Sequence, residues 1–424
     1  MDIVVIGGGM AGTRLAQQLA PYDAARVTVI GEERHAPYNR VLLAEVLAGR
    51  YGPELIALPD GGVAAGPPRR VVRVDRARGR VVCDDGHEVR YDRLVLATGS
   101  NPVLPPLRGL FTVRSGELPS GVHAFRTMDD CLALADAAGA GTRAVVVGGG
   151  LLGVSAAQAL AARGAQVVLA QQAEHLMERH LDAHAAQLLH HHLESQGVEV
   201  HTGCRVRGVR VQPSAGPAGR RVRAVEMADG YCLETDLVVL ACGVRPRIGL
   251  ALAAGLTVDR GIVVDDRLRT SDPAVFAVGD CAQHDGVVHG LAGAARDQAD
   301  VLARVLAAEA GATPPDEAPR YSGTRALTRL TLDGRWAAAD AGGRGPFDLA
   351  AFGDPVPAAG DDVLQLADAT RGAYRKVVVR GDRLVGGILL GDLAAVGAVA
   401  RTWEGDEPLP AAPLIHLLTN DGGL

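Results

Sequence analysis

Short apolar runs recur along this chain, and each is followed by a glycine turn or an alanine-rich stretch of helical character. Runs of four to ten residues of this kind are typical of buried parallel strands. In the first half they are 3–6, 27–30 and 91–100; in the second half they are 144–147, 167–170 and 237–243. Strands that alternate with helical segments predict an α/β fold.

The first run leads into a glycine motif. Gly7, Gly9 and Gly12 have the spacing G-x-G-x-x-G between the strand and a predicted helix, 13–20. In this pattern the first glycine makes the turn, the second lets a pyrophosphate approach the backbone, and the third packs helix against strand. Glu32 ends the next strand, where a carboxylate can accept hydrogen bonds from an adenosine ribose. The alternative, a glycine-rich turn without a ligand, is disfavoured by this context.

The whole arrangement then repeats. Gly148, Gly150 and Gly153 follow the first three glycines at an offset of 141, and LVVLACG (237–243) repeats LVLATGS (94–100). Matching features at a nearly constant offset predict two dinucleotide-binding domains in one chain. Gln171 stands at the acidic position of the second copy, and no arginine follows until Arg179. The sequence therefore leaves open whether the second copy binds a ribose with or without a 2′-phosphate.

Further elements follow from local patterns. Segments 69–82 and 200–225 alternate around turns, which predicts hairpins. The strand 276–278 delivers Gly279 and Asp280, whose carboxylate can accept from a polyol or, alternatively, cap a helix. A helix within 286–311 follows, and its N-terminal end is expected near 289–292. Beyond a linker at 313–319, we expect a loop over 341–361, a hairpin of 374–379 and 383–390, and a helix over 393–403.

Composition narrows the function classes. The chain has 424 residues, a net charge of −6 and no basic stretch that would track nucleic acid. Its six cysteines form no C-x-x-C, so we expect reduced thiols and a cytoplasmic location. We predict no signal peptide and no membrane span, since the uncharged stretch 144–162 carries the second glycine motif. His180, His184 and His191 share a predicted helical face; a solvated face is favoured over zinc, and no metal site is predicted.

The two glycine motifs, Glu32, A97-T98-G99, A241-C242-G243 and the segment 270–280 together resemble the two-dinucleotide flavoproteins. That family includes glutathione reductase, ferredoxin and rubredoxin reductases, and NADH oxidases. The resemblance covers the whole chain. It implies an α/β architecture with two Rossmann-like domains, of which the FAD domain is discontinuous (1–112 and 241–315). The NAD(P) domain would span 113–240, and a C-terminal α+β interface domain 320–424.

The resemblance also implies where each cofactor binds. FAD would contact a set of residues in the first domain, and NADH or NADPH a set in the second. The FAD set is Gly7, Gly9, Met10, Ala11, Gly12, Glu32, Arg40, Val72, Ala97, Thr98, Gly99, Gly279, Asp280 and Leu291. The NAD(P) set is Gly148, Gly150, Leu151, Leu152, Gly153, Gln171 and Gly243.

A narrower resemblance is to the flavin-binding N-terminal portion of the large subunit of NAD(P)H nitrite reductases, and to the electron-transfer subunit of assimilatory nitrate reduction. Four segments carry it: PYNRVLLAEVLAG (37–49), FRTMDDC (125–131), HLMERHLD (175–182) and YRKVVVRGDRLVGGILLGD (374–392). The chain lacks the cysteine clusters that hold an iron–sulfur centre or sirohaem in that family. It also lacks a dithiol or single reactive cysteine near 42–46, which argues against disulfide reductases and NADH oxidases. Many ferredoxin reductases carry a lysine where this chain has Glu45.

Without a cysteine relay, the chemistry is expected to be centred on the flavin. Reduced nicotinamide would supply a hydride, and an external acceptor, such as a redox protein or a reductase subunit, would receive the electrons. No catalytic side chain is certain. Arg40 and Glu45 are candidates for tuning the flavin, or else a phosphate contact and a helix-surface charge. Two alternatives stay open: a rubredoxin- or ferredoxin-type reductase, and a non-catalytic redox sensor that binds FAD and NAD. A homodimer is left open too.

Overall fold

The structure is a computed structural model that describes residues 1–59, 66–111, 116–215, 218–312, 314, 319–325, 327–332, 347–368, 372–391, 396–409 and 418. The chain divides into two compact units. The first unit comprises Met1–Leu42, Gly52–Asn101 and Val244–Thr324, and the second comprises Leu43–Tyr51, Pro102–Gly243 and Arg325–Leu424.

The described elements follow in chain order. The strands are β1 Asp2–Ile6, β2 Arg26–Ile30, β3 Val71–Asp75, β4 Arg80–Cys83, β5 Glu88–Arg90, β6 Arg93–Leu96, β7 Ser100–Pro102, β8 Val122–Ala124, β9 Arg143–Val147, β10 Gln166–Ala170, β11 Val198–His201, β12 Val206–Pro213, β13 Arg220–Met227, β14 Cys232–Glu234, β15 Leu237–Leu240, β16 Val244–Pro246, β17 Ile262–Val264, β18 Val275–Ala277, β19 Ala282–His284, β20 Thr328–Leu332, β21 Phe347–Gly353, β22 Asp362–Asp368, β23 Ala373–Arg380 and β24 Arg383–Gly391. The α-helices are α1 Met10–Leu19, α2 Leu43–Leu47, α3 Met128–Ala137, α4 Leu151–Ala162, α5 Ala183–Ser195, α6 Gly249–Ala253, α7 Ala292–Glu309 and α8 Val396–Glu404.

The first unit is built on a parallel sheet with strand order β18-β6-β1-β2. Its central strand β1 is buried on both faces, which explains why its residues after Asp2 are uniformly apolar. Helix α1 buries Leu15 and Leu19 completely. Full burial of side chains of this size contributes about 2 kcal/mol each to the free energy of unfolding. Strands β3, β4 and β5 form a separate antiparallel sheet.

The second unit repeats that construction. Its parallel sheet has the order β11-β10-β9-β15-β8, so β9, α4, β10 and β15 take the roles of β1, α1, β2 and β6. An antiparallel sheet, β20-β21-β24-β23-β22, forms the C-terminal part of the unit. The predicted α/β fold and its internal repeat are confirmed.

Local predictions fare unevenly. The hairpin of β23 and β24 is confirmed. The loop predicted over 341–361 is wrong where β21 occupies Phe347–Gly353, because residues 348–353 of β21 pair with β24. The glycine and alanine content of this stretch predicted a loop, although the apolar side chains of β21 are buried. His180 precedes α5, so the predicted shared helical face does not include it. Most of the predicted linker at 313–319 and residues 393–395 of the last helix lie outside the described residues.

In the described part of the chain, none of the helices combines the length and apolar character that a membrane crossing requires.

Candidate functional site: two glycine turns

The glycines that open and close each motif are required by packing. Gly7 has φ +116°, and a Cβ added there would overlap the carbonyl oxygen of Ala97. A Cβ at Gly12 would overlap the carbonyl oxygen of Gly7. In the second turn, a Cβ at Gly148 would lie 2.5 Å from the carbonyl oxygen of Ala241, and one at Gly153 would overlap the oxygen of Gly148. These four positions hold strand, turn and helix in contact.

The middle glycines have no such explanation. Gly9 and Gly150 have φ of −79° and −78°, in extended backbone that any residue adopts. A Cβ at Gly9 would come no closer than 3.9 Å to the Arg40 side chain, and one at Gly150 would meet no atom within 4 Å. Neither strain nor packing therefore demands a glycine there. In the G-x-G-x-x-G pattern a glycine at this position allows a pyrophosphate to approach the backbone closely.

These two glycines are also the N-cap residues of α1 and α4. A glycine carries no side chain that could cap the helix, so the N–H groups of the first turn stay available to an anion, which the helix dipole also favours. Met10 and Ala11 begin α1, and Leu151 and Leu152 begin α4. The residues present at both turns thus fit the pyrophosphate of a dinucleotide.

In the first unit the turn is joined by the other segments that the sequence indicated. Gly279 has φ +78°, and a Cβ there would lie 3.0 Å from the Ala11 Cβ. Asp280 accepts a hydrogen bond of 2.8 Å from the Ser100 hydroxyl. Leu291 is the N-cap of α7. The structure therefore brings together the first glycine turn, the 97–100 segment and Gly279–Asp280.

Glutamate side chains beside this turn are paired with arginines. Glu32, the predicted ribose ligand, forms an ion pair with Arg247, whose guanidinium also donates to Asn101. The Thr98 hydroxyl donates to the carbonyl oxygen of Arg247, at 2.9 Å. Sequence reasoning missed Arg247, because the partner lies 215 residues away and no local pattern marks it.

Arg40 has a comparable partner. Its guanidinium pairs with Glu33 and lies 5.0 Å from the centre of the Tyr38 ring, while the Tyr38 hydroxyl donates to Glu33 at 2.6 Å. These contacts fix a positive charge beside Gly9. A contact of Arg40 with a phosphate stays a prediction.

The positions of two other candidates, Val72 and Glu45, say less about a contact with the cofactor. Val72 is 49 % exposed, at the point where the β3–β4 register shifts. Glu45 lies in the second unit and pairs with Arg50, whose Nη2 is 2.9 Å from its Oε1. That ion pair agrees with the interpretation of Glu45 as a helix-surface charge, and a role in tuning the flavin stays a prediction.

In the second unit the Gln171 side chain supports the second glycine turn through hydrogen bonds. Its side-chain carbonyl accepts from the Gly149 N–H at 2.7 Å, and its amide nitrogen donates to the carbonyl oxygen of His175 at 3.4 Å. Gly243 has φ +93°, and its carbonyl accepts from Val103 N–H at 2.9 Å. The predicted contact of Gln171 with a ribose stays a prediction.

The cysteines are unsuited to a thiolate relay. All six are free thiols. Burial raises the pKa of Cys131 and of Cys242 to about 11, and burial likewise raises the pKa of Cys281. The Cys281 thiol donates to the carbonyl oxygens of Leu96 and Val278, at 3.3 Å each. These three groups are therefore protonated at neutral pH.

Comparison with known proteins agrees with this geometry. Residues 1–299 match the pyridine nucleotide-disulphide oxidoreductase family, and residues 347–401 match the rubredoxin NAD+ reductase C-terminal domain. Nitrite reductase [NAD(P)H] of Bacillus subtilis is 33% identical over 399 residues, and the assimilatory nitrate reductase electron transfer subunit of the same organism is 32% identical over 398. Each alignment covers 92% of this chain but only 46% and 47% of the relative. The chain thus spans about half the length of the curated relatives it matches.

Among solved structures, a covalent putidaredoxin reductase–putidaredoxin complex matches with a TM-score of 0.80 and 25% identity, over 98% of both chains. The family model, the relatives and the solved structures imply FAD and NAD(P)H as cofactors. The fold, the paired glycine turns and the family match agree, and this chain belongs to the pyridine nucleotide-disulphide oxidoreductase family.

Proposed function

We propose that this chain oxidises NADH or NADPH and passes the electrons, through FAD, to an external redox acceptor. The first glycine turn with Asp280 holds FAD, and the second turn holds the nicotinamide nucleotide. The observation that carries this proposal is the pair Gly9 and Gly150, two N-cap glycines in matching turns that neither a left-handed backbone nor a packing contact requires.

FAD, when bound, accepts a hydride from reduced nicotinamide and releases electrons singly or in pairs. Side chains of the first unit bind and orient the FAD. Arg40 places a positive charge beside the pyrophosphate position, and Asp280 accepts hydrogen bonds from a polyol chain. The protonated thiols take no part, so no covalent step on the protein is needed.

We propose further that the acceptor is a component of nitrite or nitrate reduction. The relatives named nitrite reductase and nitrate reductase electron transfer subunit support this proposal, because each aligns over 92% of this chain.

A second candidate is a rubredoxin- or ferredoxin-type reductase. The match of residues 347–401 to the C-terminal domain of rubredoxin reductase and the likeness to putidaredoxin reductase favour it. Both candidates use the same cofactors, so only the acceptor distinguishes them.

The experiment is anaerobic double mixing. The purified yellow protein is reduced with NADH or NADPH and then mixed with a nitrite or nitrate reductase component, a rubredoxin or a ferredoxin. Reoxidation of the flavin by the nitrite or nitrate reductase component, and not by the small redox proteins, supports the first assignment. Reoxidation by a rubredoxin or ferredoxin alone supports the second candidate, a rubredoxin- or ferredoxin-type reductase. A flavin that neither nucleotide reduces refutes both candidates.

A further inference from the structure

Two segments far apart in sequence meet in the second unit at one carboxylate. Asp182 ends the segment 175–182, and Tyr374 and Lys376 lie in the first half of β23. The Oδ2 of Asp182 accepts from the Tyr374 hydroxyl at 2.7 Å and from the Lys376 ammonium at 2.9 Å. Its Oδ1 accepts from the Ala185 N–H at 3.0 Å and so caps α5. Lys376 is the only lysine in the chain.

The cluster is withdrawn from water. The Lys376 side chain is 10% exposed and Tyr374 is completely buried, with the His184 ring stacked on it at 4.8 Å. Burial alone would raise the pKa of Asp182, but the hydrogen bonds from Tyr374, the Ala185 N–H and Lys376 outweigh it and hold the pKa below its usual range. The charged form of Asp182 is therefore favoured in the folded chain, and its hydrogen bonds connect β23 to the segment that precedes α5.

The segment that Asp182 ends supports the second glycine turn. Met177 N–H donates to the carbonyl oxygen of Gly149 at 2.9 Å, and a Cβ at Gly149 would lie 2.6 Å from the Leu176 side chain. Gln171 accepts from the N–H of the same glycine. Gly149, in the middle of the turn, is therefore held through both its N–H and its carbonyl by residues 171–177.

The backbone of this segment needs external support. Met177 has φ +49°, which is uncommon for a residue with a side chain and persists only where the surroundings hold it. Its carbonyl accepts from the N–H groups of His180 and Leu181, at 2.7 and 3.0 Å. These bonds connect Met177 directly to the short stretch that ends at Asp182.

We infer that Tyr374 and Lys376 are positioning residues for nicotinamide nucleotide binding: through Asp182 they fix residues 171–182 and thereby the second glycine turn. This inference rests on the proposed role of that turn. Neither residue contacts the nucleotide in this account, and flavin binding does not depend on them.

The test uses conservative variants of the purified holoprotein. Tyr374→Phe keeps the ring and removes the hydroxyl, while Asp182→Asn keeps a good helix cap and removes the charge. We expect the Kd for NAD+ in calorimetry and the KM for NADH to rise about tenfold, as for the loss of one hydrogen bond to a charged group. The kcat, the flavin content and the flavin spectrum should stay at wild-type values.

Two further variants separate positioning from general loosening. Lys376→Arg keeps the positive charge and should retain most of the affinity, whereas Lys376→Met should behave like Tyr374→Phe. Arg380→Gln is the matched control. Arg380 also lies on β23, four residues beyond Lys376, and the substitution breaks its ion pair with Asp361, which has a distance of 2.7 Å. It should leave the Kd unchanged.

Amide hydrogen exchange gives a readout without nucleotide. The Gly149 and Met177 N–H groups should exchange faster in Tyr374→Phe than in Arg380→Gln. Folded Tyr374→Phe and Asp182→Asn proteins with wild-type Kd and wild-type exchange would overturn this inference alone. A wild-type protein that binds no nicotinamide nucleotide would overturn the proposed function, and this inference with it.

Discussion

The substitution Gly150→Ala adds one methyl group where the protein has room for it. No atom lies within 4 Å of the new Cβ, and the backbone is extended. Alanine lowers the entropy of the unfolded chain, which stabilises by about 0.5 kcal/mol. Its poorer preference for the N-cap position costs a similar amount, about 0.5 kcal/mol. We therefore expect the free energy of unfolding to stay close to that of the wild type.

Nucleotide binding should respond very differently. A methyl group at this position keeps the pyrophosphate away from the N–H groups that begin α4. Losing two charge-assisted hydrogen bonds at about 1.5 kcal/mol each amounts to about 3 kcal/mol. That difference corresponds to an affinity about 100-fold lower. Calorimetric titration of the holoprotein with NAD+ measures it.

Gly153→Ala supplies the contrast three residues further on. Its Cβ would overlap the carbonyl oxygen of Gly148, so the turn must shift, at a cost of about 2 kcal/mol or more in the free energy of unfolding. Thermal and denaturant unfolding of both variants separate the two effects. Wild-type affinity for NAD+ in a folded Gly150→Ala protein would contradict the role of Gly150, and wild-type stability of Gly153→Ala would contradict the packing role of Gly153.

The other predictions concern the first turn, the thiols and the acid stability. Gly9→Ala should fold but lose most of its FAD, which the ratio of flavin to protein absorbance measures; full flavin content would contradict the role of Gly9. Cys242→Ala should be reduced by NADH at a rate within about twofold of the wild type, because a thiol with a raised pKa is protonated; a rate lost altogether would reinstate a cysteine step. The lowered pKa of Asp182 stabilises the fold at pH values above its usual pKa of 3.8, and this contribution is lost as the pH falls through the lower folded value. In Asp182→Asn the free energy of unfolding should therefore depend less on pH below about pH 4. An acid unfolding curve identical to that of the wild type would contradict this contribution of Asp182.

The glycine turns were predictable because their signal is local. Spacing, a preceding apolar run and a following helix all lie within a dozen residues, and the offset of 141 between the two copies excluded coincidence. The same is true of the β23–β24 hairpin, whose two strands flank a short turn. Patterns confined to one stretch of chain were sufficient there.

Side-chain partners at long range were not predictable. Arg247 reaches Glu32, and Lys376 reaches Asp182 across 194 residues, with no periodicity that connects either pair. Gln171 occupies the predicted position but supports the turn, since a glutamine amide can bond to the backbone as readily as to a ligand. Strand β21 was missed because pairing with β24, and not its own composition, makes it a strand.

The most direct measurement of the central claim is the absorbance of the flavin band after anaerobic mixing of the purified protein with NADH and, separately, with NADPH. We expect rapid bleaching with at least one of the two nucleotides, and loss of that bleaching at the same nucleotide concentration in Gly150→Ala. A flavin-loaded wild-type protein whose band neither nucleotide bleaches would contradict it.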